Sequence, residues 1–145
     1  MKYVGIDYGL SRTGLAVSDP EGRMAFPLAT LALRYFSGRG ALLAALVVRI
    51  AETKAGAVVM GLPFLADGGE SETTRQVRNV TERIRRRLAL PVYFMPELLS
   101  TVEALRDLRQ AGLRESRRRA VLDQQAAVRI LASFLALRPD ERRLA

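Results

Sequence analysis

Three runs rich in apolar and β-branched residues, Lys2–Tyr8, Gly14–Ser18 and Met24–Leu33, stand at the head of the chain. They are separated only by Gly9 to Thr13 and by the turn Asp19-Pro20-Glu21-Gly22. Links this short close antiparallel hairpins, because a parallel crossover takes a dozen residues or more. The chain beyond them reads differently. Ala41–Ala55 sets Leu42, Leu43, Leu46, Val47 and Ile50 at helical spacing, Gly56 follows, and Ala57–Met60 is an apolar run of strand length. A loop over Gly61–Glu72, with Gly61-Leu62-Pro63 read as a turn, leads to a second helix striped by Val77, Val80, Ile84 and Leu88, after which Pro91–Met95 is again a strand. Strands alternating with helices make a parallel half-sheet. The expected order is β-β-β-α-β-α-β-α-α: an α/β fold with a five-stranded mixed sheet flanked by helices. A length of 145 residues, 49% of them hydrophobic, suits a single core and a single domain over 1–145.

Composition narrows the chemistry. The chain has no cysteine and no histidine, which removes disulfides, thiolate nucleophiles, imidazole bases and Cys/His zinc sites. Carboxylates, hydroxyls, Lys, Arg or an oxygen-bound metal must do any catalysis. No apolar run reaches membrane-spanning length and no signal peptide is evident, so a cytoplasmic protein without a membrane partner is expected. The net charge of +8 is unevenly placed: residues 1–72 hold seven cations and seven anions, and residues 73–145 hold sixteen and eight. Arginine supplies 21 of the 23 cations, and its planar fork suits phosphate. A nucleic-acid partner follows, against the plainer reading of a solvated basic surface.

Three carboxylates fall where the surroundings should be apolar. Asp7 ends the first strand after Val4-Gly5-Ile6. Glu97 follows Val92-Tyr93-Phe94-Met95-Pro96 at the carboxyl end of a strand, where open α/β sheets place ligands. Asp123 shares a helix face with Ala127, Ile130 and Phe134 at about 100° per residue. Each alone has a bland explanation: a turn, an exposed acid, a partner for an arginine. Together, if the last helix packs over the strand ends, they converge and call for Mg²⁺ or Mn²⁺, with two ions ~4 Å apart able to activate water at a phosphodiester.

Other motifs divide between structure and substrate. Ser100 and Glu103 have capping-box spacing and read as a helix start. Gly112–Arg119 reads as a mobile basic loop entering the last helix, which would put Arg114, Arg117, Arg118 and Arg119 near the acids. Arg12, in the glycine-bounded link Gly9–Gly14, could hold a phosphate. Tyr8 is expected in the core, and the arginines of the second helix on a solvated face. Asp19, Glu103 and Asp107 are turn or helix-surface residues, each a conceivable fourth acid.

Four blocks carry a resemblance: Tyr3–Asp19 (YVGIDYGLSRTGLAVSD), Val58–Gly68 (VVMGLPFLADG), Glu97–Ala104 (ELLSTVEA) and Leu122–Leu131 (LDQQAAVRIL). In this order they resemble the YqgF family, also called RuvX, of the ribonuclease-H-like fold. The resemblance implies a metal-dependent endonuclease acting in pre-16S rRNA processing or on Holliday junctions. The family's acids fall on Asp7, Glu97 and Asp123. Junction resolution would further imply a homodimer, since it takes two sites. Family members usually carry Asp-Glu-Arg-Leu-Ser-Thr, whereas Pro96 and Leu98 flank the glutamate here, and Ser11 stands where lysine is common. Those departures keep a second reading open, a nucleic-acid-binding module without catalysis. A third comes from the strand-Asp-x-Gly-hairpin pattern, which is similar to the first phosphate loop of actin-like phosphotransferases.

Overall fold

A computed structural model describes residues 1–98 and 115–145, the side chains of 115–121 excepted. The expected meander is present as β1 (Tyr3–Tyr8), β2 (Arg12–Ser18) and β3 (Ala25–Ala32), all antiparallel. The turn between β2 and β3 is organised by Asp19, whose Oδ1 accepts the backbone N–H groups of Met24 at 2.7 Å and Arg23 at 2.8 Å. Gly22, at φ +72°, supplies the left-handed residue this turn requires.

Helix α1 (Arg39–Thr53) buries Leu42, Leu43, Leu46 and Ile50 on one stripe, as the spacing predicts, and leads into β4 (Ala57–Phe64). Helix α2 (Glu72–Arg87) starts at a reciprocal cap between Ser71 and Thr74 and buries Val77 and Ile84. Its arginines lie outward, and Arg75, Arg78 and Arg85 pair with Glu72, Glu70 and Glu82. Then come β5 (Val92–Leu98) and helix α3 (Glu115–Leu135). With a short last strand, β6 (Arg143–Leu144), the strand order is β3-β2-β1-β4-β5-β6, with β1, β4 and β5 mutually parallel.

Three expectations are corrected. The sheet has six strands rather than five, because Arg143–Leu144 (β6) pairs antiparallel with Tyr93 and Phe94. Two residues, one charged and one apolar, are too few to show an alternation from which a strand could be read. Gly61-Leu62-Pro63 is not a turn but part of β4, with Leu62 buried. Proline is tolerated there because the pairing of β4 with β1 ends at Met60, leaving only β5 alongside Pro63. The Pro63 carbonyl accepts the Thr74 hydroxyl, which ties the start of α2 to the end of β4. Finally, the basic segment expected as a loop through Arg119 is helical from Glu115. Arginine is a good helix former, and nothing after Gly112 breaks the run. The predicted cap at Ser100 and Glu103, and Arg114, lie outside the described residues.

The sheet's two faces follow from alternation. Val4, Ile6, Tyr8, Val58, Met60, Leu62 and Val92 point to α1 and α2, forming the larger core, with Tyr8 buried there as expected. The intervening positions face α3, whose Ala127, Ile130, Leu131 and Phe134 pack on Ala16 and Val59. Phe134 sits between the rings of Tyr3 and Tyr93, at 5.6 and 5.1 Å between centroids.

Candidate active site

Asp7 is in register with Gly14 across the β1–β2 ladder, and alternation from Gly5 turns it toward α3. A Cβ built on Gly5 would lie 2.8 Å from the Cβ of Leu131, so this face of β1 carries the helix directly. At Gly14 the approach is closer still. A Cβ there would lie 2.1 Å from the carbonyl oxygen of Asp123 and 3.2 Å from its Cβ, so only glycine lets the α3 backbone lie on the sheet. Asp7 and Asp123 are therefore brought to the two sides of one glycine.

Arg12 and Thr30 share that face through the Gly14 register. The Arg12 Nε stands 3.1 Å from Oδ2 of Asp123, with both side chains about a quarter exposed. The Gln124 amide donates to the Thr30 hydroxyl at 3.1 Å, fixing this end of the helix over β3. Asp123 thus faces the sheet, as its periodicity indicated, but carries an arginine partner that local sequence spacing does not reveal.

Glu97 lies in β5 opposite Pro63, on the α3 side by alternation from Tyr93 and Met95. It is two strands from Asp7 and two residues farther along. Spacings of about 4.8 Å between strands and 3.3 Å per residue put the two Cα atoms roughly 12 Å apart. Among the described residues no three acids are grouped closely enough to hold one metal ion. Asp7 and Asp123 come together, while Glu97 shares their face and their end of the sheet from a distance; the expected convergence of all three is not seen among these residues. Arg117, Arg118 and Arg119 stand on the backbone of α3 ahead of Asp123. Asp19 serves the β2–β3 turn, where N–H donation from Met24, then from Arg23 and Glu21, holds its carboxyl below the usual carboxylate range against a smaller opposing effect of burial.

The donor chemistry at Asp7 and Asp123 fits a hard divalent cation, which typically takes one or two protein carboxylates and completes its shell with water and substrate phosphate. The guanidinium on Asp123 shows that this carboxylate already attracts positive charge.

Comparison with known proteins decides the family. The family model described as "RuvX: Holliday junction resolvase" matches residues 1–137. The chain belongs to the RuvX family. This is a family of nucleases, enzymes that hydrolyse phosphodiester bonds. Among RuvX relatives, a "Putative pre-16S rRNA nuclease" of Nitratidesulfovibrio vulgaris is 57% identical over 143 residues, covering 99% of this chain and 98% of that one. One of the same name from Oleidesulfovibrio alaskensis is 55% identical, covering 99% and 97%. Thermus thermophilus RuvC superposes with a TM-score of 0.60 at 19% identity over all of both chains. The same protein in complex with a Holliday junction substrate gives 0.61 at 20% identity, covering 100% of this chain and 99% of that one. These two likenesses bear out the ribonuclease-H-like fold expected of the RuvX sequence. No helix among the described residues is long and apolar enough to cross a membrane.

Proposed function

We propose that this chain is a divalent-metal-dependent endonuclease, a single cytoplasmic domain that cuts structured nucleic acid, with the 5′ leader of pre-16S rRNA as its foremost substrate. The observation that carries this reading is the placement of Asp7 and Asp123 on either side of Gly14, on the face and at the strand ends where Glu97 also lies. The curated relatives' name supports the RNA substrate, and the family description supports a branched DNA as the second.

Asp7 and Asp123 would hold one Mg²⁺ or Mn²⁺, and Glu97 is the candidate donor for a second. Bound there, the metal would supply a Lewis acid and water of lowered pKa. Arg12 has a part that needs no metal: its guanidinium can leave Asp123 for a phosphate oxygen, exchanging one charge-assisted contact for another. Arg114, Arg117, Arg118 and Arg119 would add the positive charge that follows the backbone.

The test compares wild type with Asp7→Asn, in Mg²⁺ and in Mn²⁺, on an RNA bearing the small-subunit 5′ leader and on a four-way DNA junction. Leader cleavage that falls about a thousandfold in the variant, the several kcal/mol a catalytic metal provides, is expected. Paired symmetric cuts in the junction alone would move the substrate to DNA and require a homodimer. Binding of both without cleavage of either would overturn the nuclease reading in favour of a binding module.

A further inference from the structure

The link between β3 and α1 exposes an aromatic ring beside the candidate site. Leu33 and Phe36 pack against the larger core, while Arg34 and Tyr35 between them are exposed, in a 3₁₀ turn over Leu33–Tyr35. Tyr35 is 74% exposed, the most of any aromatic residue in the chain; Phe26, at 44%, comes next. The Arg34 guanidinium stands 4.9 Å from the centre of the Tyr35 ring and donates to its hydroxyl at 3.1 Å. One face of the ring thus carries a cation, and the exposure leaves the other to solvent. The turn is tied to the hairpin that follows Asp7. Leu33 donates its backbone N–H to the Ser11 carbonyl at 2.8 Å, and Arg39 donates to the Leu10 carbonyl at 3.3 Å and the Tyr8 hydroxyl at 2.8 Å. Asp7, Gly14 and Thr30 stand in one row across β1, β2 and β3, and Ala32, opposite Arg12, lies two residues nearer the hairpin tip. Ordinary sheet spacings put the Cα atoms of Ala32 and Asp7 roughly 12 Å apart, with Tyr35 one short turn farther on. The charge here is one-sided. No Asp or Glu occurs from Gly22 to Ala51, a stretch that holds Arg23, Arg34, Arg39 and Arg49. Arg23 and Arg49 pair with the flanking Glu21 and Glu52, whereas Arg34 and Arg39 have no ion pair among the described residues.

We propose that Tyr35 is a stacking platform for an unpaired nucleobase of the substrate, with Arg34 and Arg39 on the phosphates beside it. The proposal rests on the nuclease reading above and narrows its substrate: the strand held at Asp7 would be single-stranded where it passes over Leu10–Arg12, a few nucleotides from the cut. A base inside a duplex has both faces covered by its neighbours, and only an unpaired one can bring a face to the tyrosine. An apolar protein surface would strip water from the two guanidinium groups without giving them partners. An open aromatic face among arginines that lack carboxylates suits a polymer in which flat bases alternate with phosphates.

The experiment follows binding of two labelled RNAs to the full chain by fluorescence anisotropy in EDTA, where metal-dependent cleavage stops. One RNA is a single-stranded segment of the small-subunit 5′ leader, and the other is the same segment annealed to its complement as a blunt duplex. Tyr35→Leu should bind the single strand about tenfold more weakly than wild type and the duplex within about twofold, the loss of one base stack. Tyr35→Phe, which keeps the ring, should bind both as wild type does. Arg34→Gln should lower the slope of log affinity against log salt for the single strand by about 0.7, whereas Tyr35→Leu should leave that slope unchanged. Cleavage by wild type in Mg²⁺ or Mn²⁺ is scored separately, so the two readings can fail independently. Binding that depends on Tyr35, to an RNA that is never cut, would keep the platform and overturn the nuclease reading. Cleavage by an enzyme whose single-strand affinity ignores Tyr35→Leu would do the reverse. Equal losses on both RNAs, an equal loss in Tyr35→Phe, or no binding of the single strand by wild type would overturn the proposal.

Discussion

The two faces of the sheet solve the problem of seating a helix in opposite ways. Toward α1 and α2 the strands present Val4, Ile6, Val58, Met60 and Leu62, large side chains that fill the gap to Leu42, Leu46 and Ile50. Toward α3 the same strands present Gly5, Gly14 and Gly61, where an added Cβ would come within 2.8, 2.1 and 2.5 Å of α3 atoms. One face is held by volume and the other by its removal. The consequence is functional: the helix that comes close to the sheet carries Asp123 down to the level of Asp7, and a helix held off by side chains could not.

The difference predicts opposite responses to mutation. The largest expected effect is on the filled face, where Leu46→Ala should cost about 2–5 kcal/mol in urea unfolding because the surrounding strands cannot collapse into the space. On the glycine face the damaging change is an addition. Gly14→Ala should cost about 1–3 kcal/mol, and since the atom met is a backbone carbonyl oxygen no rotamer relieves it. Cleavage should fall with it, because Asp123 moves away from Asp7. A contrasting glycine sharpens the point: Gly40, in α1, has nothing within 4 Å of a built Cβ, so Gly40→Ala should gain up to about 1 kcal/mol. Equal effects at Gly14 and Gly40 would break the distinction between the faces.

The same contrast explains what could be read in the sequence. The filled face was legible, since Leu42, Leu43, Leu46 and Ile50 announce a helix stripe and the short hairpin links announce the meander. The glycines were legible as residues but not as a surface, because Gly5, Gly14 and Gly61 come together only once β2 pairs with β1 and β1 with β4. Asp7 and Asp123 stood out because acids among apolar neighbours need a reason. The pairing of Arg12 with Asp123 joins residues 111 positions apart and has no local signal. β6 and the strand character of Pro63 were missed because both depend on which neighbour strand is present rather than on the segment itself.

A smaller effect on stability, with a clearer one on binding, is expected at Arg12. The pair with Asp123 is partly exposed, so Arg12→Gln should change stability by less than about 1 kcal/mol. If the guanidinium moves to phosphate, the slope of log affinity for nucleic acid against log salt should fall by about one unit. A Mn²⁺ titration without nucleic acid, followed by electron paramagnetic resonance, should show tighter binding in the variant because a competing cation has left Asp123. Unchanged salt slope and unchanged Mn²⁺ binding would make the pair purely structural.

The smallest effect belongs to the β2–β3 turn, the strand connection farthest from the glycine face in character. The Asp19 carboxylate accepts from the N–H groups of Met24, Arg23 and Glu21, and its pKa is lowered. A carboxyl whose folded pKa lies below its unfolded value of about 3.9 adds stability that is fully present above that value. That stability is lost as pH falls through the lower, folded pKa. Asp19→Asn keeps an acceptor but removes the titrating charge. Thermal melts should therefore show the variant slightly less stable than wild type at pH 7, with the gap closing as pH falls below the ordinary carboxylate range. Because the turn is exposed and remote from Asp7, cleavage by the variant should match wild type at neutral pH. A gap that persists unchanged into acid would mean that the turn depends on the shape of the side chain rather than on its charge.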